Sequence, residues 1–376
     1  VIEDGIYFGL DEEAYHADPA LGSTDLKRLL INPVGWWSNS AAGKSVLVGL
    51  GILRPDDEDE EESLVKQFGR ASHVMVLEPH RFDDCYLEHE EMPAEYLTTR
   101  KAIRDALLAT PGAYVPIGSA QRPELVMAAK RAGLPVSDDW KVDEQIKAGG
   151  RGILSKRWMA QLRMIDYLMN APQPALDGRS IREENFTGGY SEVSIFWTEQ
   201  VGDATVRLKA RIDYLRRPGM IDLKTYGCPE DKPPVSFFLG QIANYGYDLQ
   251  KVAYTAAWKA ARDLRDQGRV FGDVDMDWLK QVKFSREPSW RWIAAQTMRM
   301  PEIDWIDWNA SLADMAAEGQ RREALASFVA YRERFGMDTP WLALRGRIVA
   351  DDTTLDATGI ARRMMARGEQ TWTASS

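Results

Sequence analysis

The sequence predicts an α/β fold, on three observations. Segments near Ser191–Thr198, Thr205–Tyr214 and Met220–Thr225 alternate apolar and polar residues with a period of two, the mark of strands with a buried face. A helical pattern over about Ser236–Gln267 follows them. Ahead of them, between Ser23 and Met169, several separate runs repeat apolar residues at helical spacing.

In chain order, the first helix is expected after Ser23 or Thr24, either of which can cap it. Leu26, Leu29 and Leu30 form its apolar stripe, and Asn32-Pro33 ends it. Trp36 and Trp37 read as packing residues. Residues 39–62, with the acidic run Asp56–Glu62, read as a loop. A helix over Ser63–Leu77 turns Leu64, Phe68, Val74 and Leu77 to a core and is stopped by Pro79. Further helices are predicted at Lys101–Leu108, Gln121–Ala132 and Lys156–Met169, with a short strand at Tyr114–Ile117. The glycines from Gly149 to Gly152 read as flexible linkage. After the long helix, residues 278–296 read as two strands around Glu287-Pro288, and Ile306–Phe335 reads as a helix.

Composition bounds the function. The chain has 376 residues, 44% hydrophobic and 28% charged, enough for one large domain or two ordinary ones with a full core. No apolar run approaches the length of a membrane span and no secretory signal pattern is present, so no membrane association is expected. Cys85 and Cys228, far apart, suggest neither a disulfide framework nor a zinc site, and a cytoplasmic location is expected. A net charge of −10 argues against a protein that coats DNA through a broad basic surface, though not against an enzyme with a local basic channel.

The stretch that carries chemistry is Val206–Thr225. Val206, Leu208, Ala210, Ile212 and Tyr214 alternate with Arg207, Lys209, Arg211 and Asp213. Pro218-Gly219 supplies turn chemistry, after which Ile221, Leu223 and Thr225 take one face and Asp222 and Lys224 the other. Such a hairpin brings Asp213, Asp222 and Lys224 together on one face. Neighbouring carboxylates repel unless a cation lies between them, and their oxygens are the ligands magnesium prefers. A lysine beside them can orient a metal-bound water or stabilise charge on a phosphate. The same pattern also suits a solvated face with cross-strand ion pairs. Glu192, out of phase with Val193, Ile195 and Trp197, is a further acidic candidate. Arg207, Lys209, Arg211, Arg216 and Arg217 suit either a basic channel or a solvated strand edge. Gln241/Tyr245 and Gln250/Tyr254 each stack one turn apart. On a continuous helix the two pairs face opposite ways, so only one can reach the hairpin unless Gly246 breaks the helix.

The spacing Asp213-x(8)-Asp222-x-Lys224 on a hairpin, followed by a helix, resembles the core of the PD-(D/E)XK nuclease superfamily. The ordered set FGRASHVMVLEPHRF, YSEVSIFW, RIDYL, GMIDLKT and YGYDLQKVAYTAAW is similar to its RecE-type, exonuclease VIII-like branch. The opening YHADPALGSTDLKRLLINPVGWW shares that look, and the resemblance covers about residues 5–300. It implies a restriction-endonuclease-like core, a central mixed sheet flanked by helices with helical additions. That gives a nuclease domain over residues 1–300 and a helical extension over 301–376.

The resemblance further implies a Mg2+ or Mn2+ site whose ligands are His73, Asp213, Asp222 and the Leu223 carbonyl, with Glu192 as an extra or water-mediated ligand. Lys224 would be the catalytic lysine, and Gln250 and Tyr254 would position it, the water or the DNA. Arg100, Lys101 and Arg211 are the candidate DNA contacts. The implied activity is 5′-to-3′ digestion of double-stranded DNA ends, leaving 3′ overhangs for recombination. The implied assembly is a ring-shaped homo-oligomer such as a tetramer, with a single-strand annealing protein as partner. The residues also allow a structure-specific or nicking endonuclease, or a DNA-binding subunit of a recombination complex without hydrolysis. The acidic charge and the segment Asn39–Glu62 depart from the family pattern. Both bear on DNA affinity and leave the catalytic positions intact.

Overall fold

The computed structural model of the chain describes residues 1–54, 64–116, 118–298 and 300–343. They fall into two units, one of residues 1–27 and 64–326, the other of 28–54 and 327–343. Among the described residues no helix is long and apolar enough to cross a membrane.

The larger unit is built on a seven-stranded mixed sheet flanked by helices. Across it the order is Val270–Phe271, Gly5–Tyr7, Tyr190–Val201, Ala204–Arg216, Gly219–Tyr226, Ser289–Gln296 and Glu302–Asp307. The three strands that carry the motif run antiparallel. Ser289–Gln296 lies parallel to Gly219–Tyr226, which requires a crossover, and helices Pro234–Asn244 and Tyr247–Asp266 lie on it. Alternation then sorts the side chains. Tyr214, Ile221, Leu223, Ile293 and Ala295 join Phe68 and Ala71 of helix Leu64–Leu77 and Leu162 and Ile165 of helix Lys156–Asn170 in one buried cluster. Asp213, Asp222 and Lys224 alternate to the other face, where helix Tyr247–Asp266 packs on the strands.

The hairpin is tight and short. Its ladder holds Arg216 opposite Gly219, Leu215 opposite Met220 and Tyr214 opposite Ile221. Arg217 and Pro218 make the turn, and Gly219 already belongs to the second strand. A Cβ on Gly219 would lie 2.0 Å from the Ser289 carbonyl oxygen, so the glycine serves the approach of the next strand rather than the turn. Beyond Tyr214 and Ile221 the two strands part. Leu21 takes up the vacated edge: its N–H donates to the Arg207 carbonyl and its own carbonyl accepts from Lys209 N–H. Helix Ser23–Ile31 starts two residues later, beside the opening.

Several local expectations are corrected. Residues 41–49, expected in a loop, form helix Ala41–Gly49, and Pro33–Asn39 is helical too. Asn32 and Ser40 cap these helices through their side chains, so Asn32-Pro33 ends one helix and starts another. The acidic run Asp56–Glu62 lies outside the described residues. Tyr114–Pro116 forms no strand. Ser137–Ala148 is a helix that the sequence reading missed, because SDDWKVDEQIKA carries no clear apolar stripe. Gly149, at φ 59°, is its left-handed cap, and Gly152 opens a short strand. The expected long helix is two helices, broken at Gly246 with φ 61°. In 278–296 only the second half is a strand; Met276–Gln281 is helical, capped by Asp275. Glu302–Asp307 is a strand, and helix Ser311–Phe335 begins after it.

In the smaller unit Trp36 meets Phe328 edge-on at 5.4 Å and Trp341 at 5.5 Å. Trp37 donates its indole N–H to the Met337 carbonyl. Both tryptophans pack, as the sequence suggested.

Candidate active site

Where the hairpin opens, Leu223 loses its ladder partner on the first strand. Buried backbone groups must be paired, and here side chains pair them. Leu223 N–H donates to Asp213 Oδ2 at 2.7 Å, and the Leu223 carbonyl lies 3.0 Å from His73 Nε2. With Nε2–H donating to that carbonyl, Nδ1 faces the carboxylates, as an N–H while the imidazole is charged and as a lone pair once it is neutral. It lies 3.8 Å from Asp213 Oδ2 and 3.9 Å from Glu192 Oε1.

Glu192 reaches this place through an unusual backbone. Ser191 pairs with Tyr214 and Val193 with Ile212, so Glu192 stands across from Asp213 in the register. Its φ is 54°, the left-handed region, in the middle of a strand. A non-glycine residue there costs about 1–2 kcal/mol. Arg211 Nε holds the free oxygen, Glu192 Oε2, at 2.6 Å.

One ligand atom each from His73, Glu192 and Asp213 lies within 4.8 Å of the others, and the cluster is able to hold a metal ion. One imidazole nitrogen and two carboxylate oxygens suit a divalent cation such as Mn2+ or Mg2+. The local electrostatics fit the same group. Burial disfavours the His73 imidazolium, but Asp213 and Glu192 outweigh it and raise its pKa to about 9. Burial pushes Asp213 up to about 7, with Asp222 and Glu192 adding to the rise against the pull of His73 and Lys224. Burial also disfavours the Glu192 carboxylate, yet His73 and Arg211 hold it below its usual range. The metal-free cluster thus keeps a proton where a cation could sit.

Lys224 and Asp222 form the neighbouring half. Asp222 Oδ2 lies 2.5 Å from Lys224 Nζ, and Asp222 Oδ1 accepts from Gln250 Nε2 at 2.9 Å. Burial opposes the Lys224 ammonium, but Asp222 and Asp213 raise its pKa above that of an ordinary lysine. The ammonium also lies over the Tyr247 ring, 5.0 Å from its centroid. Tyr254 lies one turn beyond Gln250, buried against Trp290 at 6.0 Å, and burial holds its hydroxyl well above the usual phenol range.

The structure therefore gathers His73, Glu192, Asp213, Asp222, the Leu223 backbone, Lys224 and Gln250, with Tyr254 behind Gln250. Asp222 Oδ1 accepts from Gln250, while Oδ2, buried and without a hydrogen bond, faces Lys224 as an ion pair, and the Leu223 carbonyl orients the imidazole. Arg211 joins the site as the brace of Glu192. Arg217 is exposed in the turn, but the other strand cations have internal partners. Lys209 Nζ is buried on the carbonyls of Tyr15 and Asp18, Arg207 pairs with Asp18 at 3.3 Å, and half-buried Arg216 Nη1 donates to the Glu184 carbonyl. They form neither an open channel nor a solvated edge. Arg100 and Lys101 open helix Arg100–Ala109, whose Ile103 and Leu107 belong to a separate apolar cluster. Arg100 donates to the Ala120 carbonyl at 2.6 Å, while Lys101 is exposed. Sequence reasoning missed Tyr247; its signal was the Tyr-Gly-Tyr step at the helix break.

No family model matches the chain, and no curated protein matches it. Among solved structures, the chain is similar to a protein named Putative exonuclease from Eubacterium rectale, with a TM-score of 0.40 and 12% identity over 93% of this chain and 98% of that one. It is also similar to SSO0001, with a TM-score of 0.21 and 10% identity over 69% of this chain and 86% of that one. Likenesses this distant carry no argument about the reaction, which rests on the residues.

Proposed function

We propose that the chain is a divalent-metal-dependent deoxyribonuclease of the RecE-type, PD-(D/E)XK kind, acting on double-stranded DNA ends. One observation carries this reading. A His73–Glu192–Asp213 cluster within 4.8 Å lies beside Lys224, which pairs with Asp222, at the mouth of an opened hairpin.

His73, Glu192 and Asp213 would hold the cation, with Asp222 next to them. When bound, it supplies Lewis acidity toward a phosphate oxygen and a water. The chain's own groups do the rest. Arg211 fixes Glu192, and the Leu223 carbonyl fixes the imidazole tautomer that leaves Nδ1 free. Gln250 and Asp222 fix Lys224, which their field keeps protonated. Lys224 therefore acts as a positive donor toward charge growing on the phosphate, rather than as a base. Digestion of the 5′ strand, a ring-shaped oligomer and an annealing partner belong to the proposal through the family resemblance.

The test is digestion of an end-labelled linear duplex with Mg2+ or Mn2+. Wild type should shorten the labelled strand and leave closed circular DNA intact. Lys224→Ala should be slower by about 10²–10³-fold, the loss expected for one preorganised donor. Equal digestion by both proteins would remove the mechanism, and nicking of the circle would favour the endonuclease reading.

A further inference from the structure

The break between the crossover helices holds a second lysine that the metal cluster does not use. Lys27, on helix Ser23–Ile31, lays its stem along Gly246. A Cβ at that glycine would lie 3.3 Å from Lys27 Cε and 3.5 Å from Cδ. The φ of 61° favours glycine at this position, and the lysine stem packs closely on it. The Lys27 ammonium lies over the Tyr247 ring, 5.5 Å from the centroid. Lys224 lies over the same ring at 5.0 Å.

The two lysines differ in one respect. Lys224 is paired with Asp222, while Lys27 has no carboxylate at ion-pair distance among the described residues. An aromatic face attracts an ammonium without cancelling its charge. Lysine side chains carry about 2 kcal/mol of rotamer entropy, so holding one here, near a like charge, is unfavourable unless an anion joins it. A compact ammonium suits a phosphate as a point-charge partner.

We propose that Lys27 binds a phosphodiester of the DNA strand next to the one cleaved, with Tyr247 and Gly246 holding its ammonium in place. This rests on the nuclease reading above and adds a substrate contact to it.

The test compares wild type with Lys27→Met, which keeps the stem against Gly246, and Lys27→Arg, which keeps the charge. Binding to a 5′-hydroxyl duplex, in which every phosphate is a diester, is followed against salt with Ca2+ replacing Mg2+. Lys27→Met is expected to lose about 0.9 from the slope of log K against log salt, and Lys27→Arg to keep it. With Mg2+, KM should rise roughly tenfold for Lys27→Met, with kcat changed less than about twofold. If Lys27→Met melts early, Lys27→Gln is measured in its place. An unchanged slope in a charge-free variant overturns the contact while cleavage by wild type keeps the nuclease reading. A wild-type chain that neither binds nor cuts the duplex removes both.

Discussion

Asp222 has a partner for each carboxylate oxygen, Gln250 for one and Lys224 for the other. Asp213, across the same hairpin, has the Leu223 N–H and then shares its space with Glu192 and a charged imidazole. The lysine half is therefore self-balanced, whereas the histidine half holds two carboxylates, a proton and a strained backbone. Backbone strain and strongly shifted titrating groups are features that cluster at binding sites. The contrast predicts that mutations in the histidine half abolish metal binding, while those in the lysine half spare the metal and slow the chemistry.

The largest effect should come from Asp213→Asn. The amide oxygen can still accept from Leu223 N–H, but the negative charge is gone. Metal binding by calorimetry should vanish, and cleavage should fall by more than about 10³-fold. The metal-free variant should melt about 1–2 °C higher at pH 7, a gain on the order of 1 kcal/mol. The sign follows from the raised pKa. A buried acid at about 7 contributes stability that is full below the ordinary aspartate range and is lost as pH rises through 7. Removing the charge returns that loss. A lower melting temperature would break the contrast.

The pH dependence of metal binding sharpens it next. His73 must be neutral to ligate, and its pKa is raised to about 9. Between about 7 and 9, affinity should therefore rise roughly tenfold per pH unit, with one proton released. Below 7 a second proton, shared with Asp213, should steepen the slope. Calorimetry of Mn2+ binding in two buffers of different ionisation enthalpy counts the protons. Zero released protons at pH 7.5 would contradict a charged imidazole.

Gln250→Ala probes the other half. Asp222 loses one hydrogen bond and Lys224 loses part of its positioning, while the cluster around His73 is untouched. The expectation is a fall in kcat of about 10–100-fold with unchanged metal affinity. A matching loss of metal affinity would place Asp222 among the metal ligands.

The sequence carried much of this arrangement, and the misses have physical causes. Period-two alternation placed the three motif strands, and spacing placed Asp213, Asp222 and Lys224 together. It could not show that the hairpin opens after Tyr214, because that depends on Leu21 arriving from far along the chain. Arg207, Lys209 and Arg211 read as a basic surface because alternation reports a face, not what covers it. Distant partners at Tyr15, Asp18 and Glu192 turn them inward. Lys27 gave no local sign at all. Gly246 was ambiguous, since a single glycine in a helical pattern is tolerated as often as it breaks the helix.

The smallest effect, and the most direct probe of strain, is Glu192→Gly. The left-handed φ of 54° disfavours any side chain at that position, and glycine removes the penalty of about 1–2 kcal/mol. Glycine also gains conformational entropy in the unfolded chain, which takes back about 0.5–1 kcal/mol. Loss of the carboxylate leaves the largely buried Arg211 and the charged His73 without that partner, which costs more than the backbone relief returns. The net change in metal-free stability should therefore be a loss by denaturant titration, smaller for Glu192→Gly than for Glu192→Ala. Metal affinity should meanwhile fall at least tenfold, because one carboxylate has left the cluster. Glu192→Ala separates the two causes, since it loses the carboxylate and keeps the backbone penalty. It should bind metal as poorly as Glu192→Gly yet be the less stable of the two. If alanine were the more stable variant, the left-handed backbone would not be stored strain, and Glu192 would reach the metal cluster at no cost to the strand that carries it.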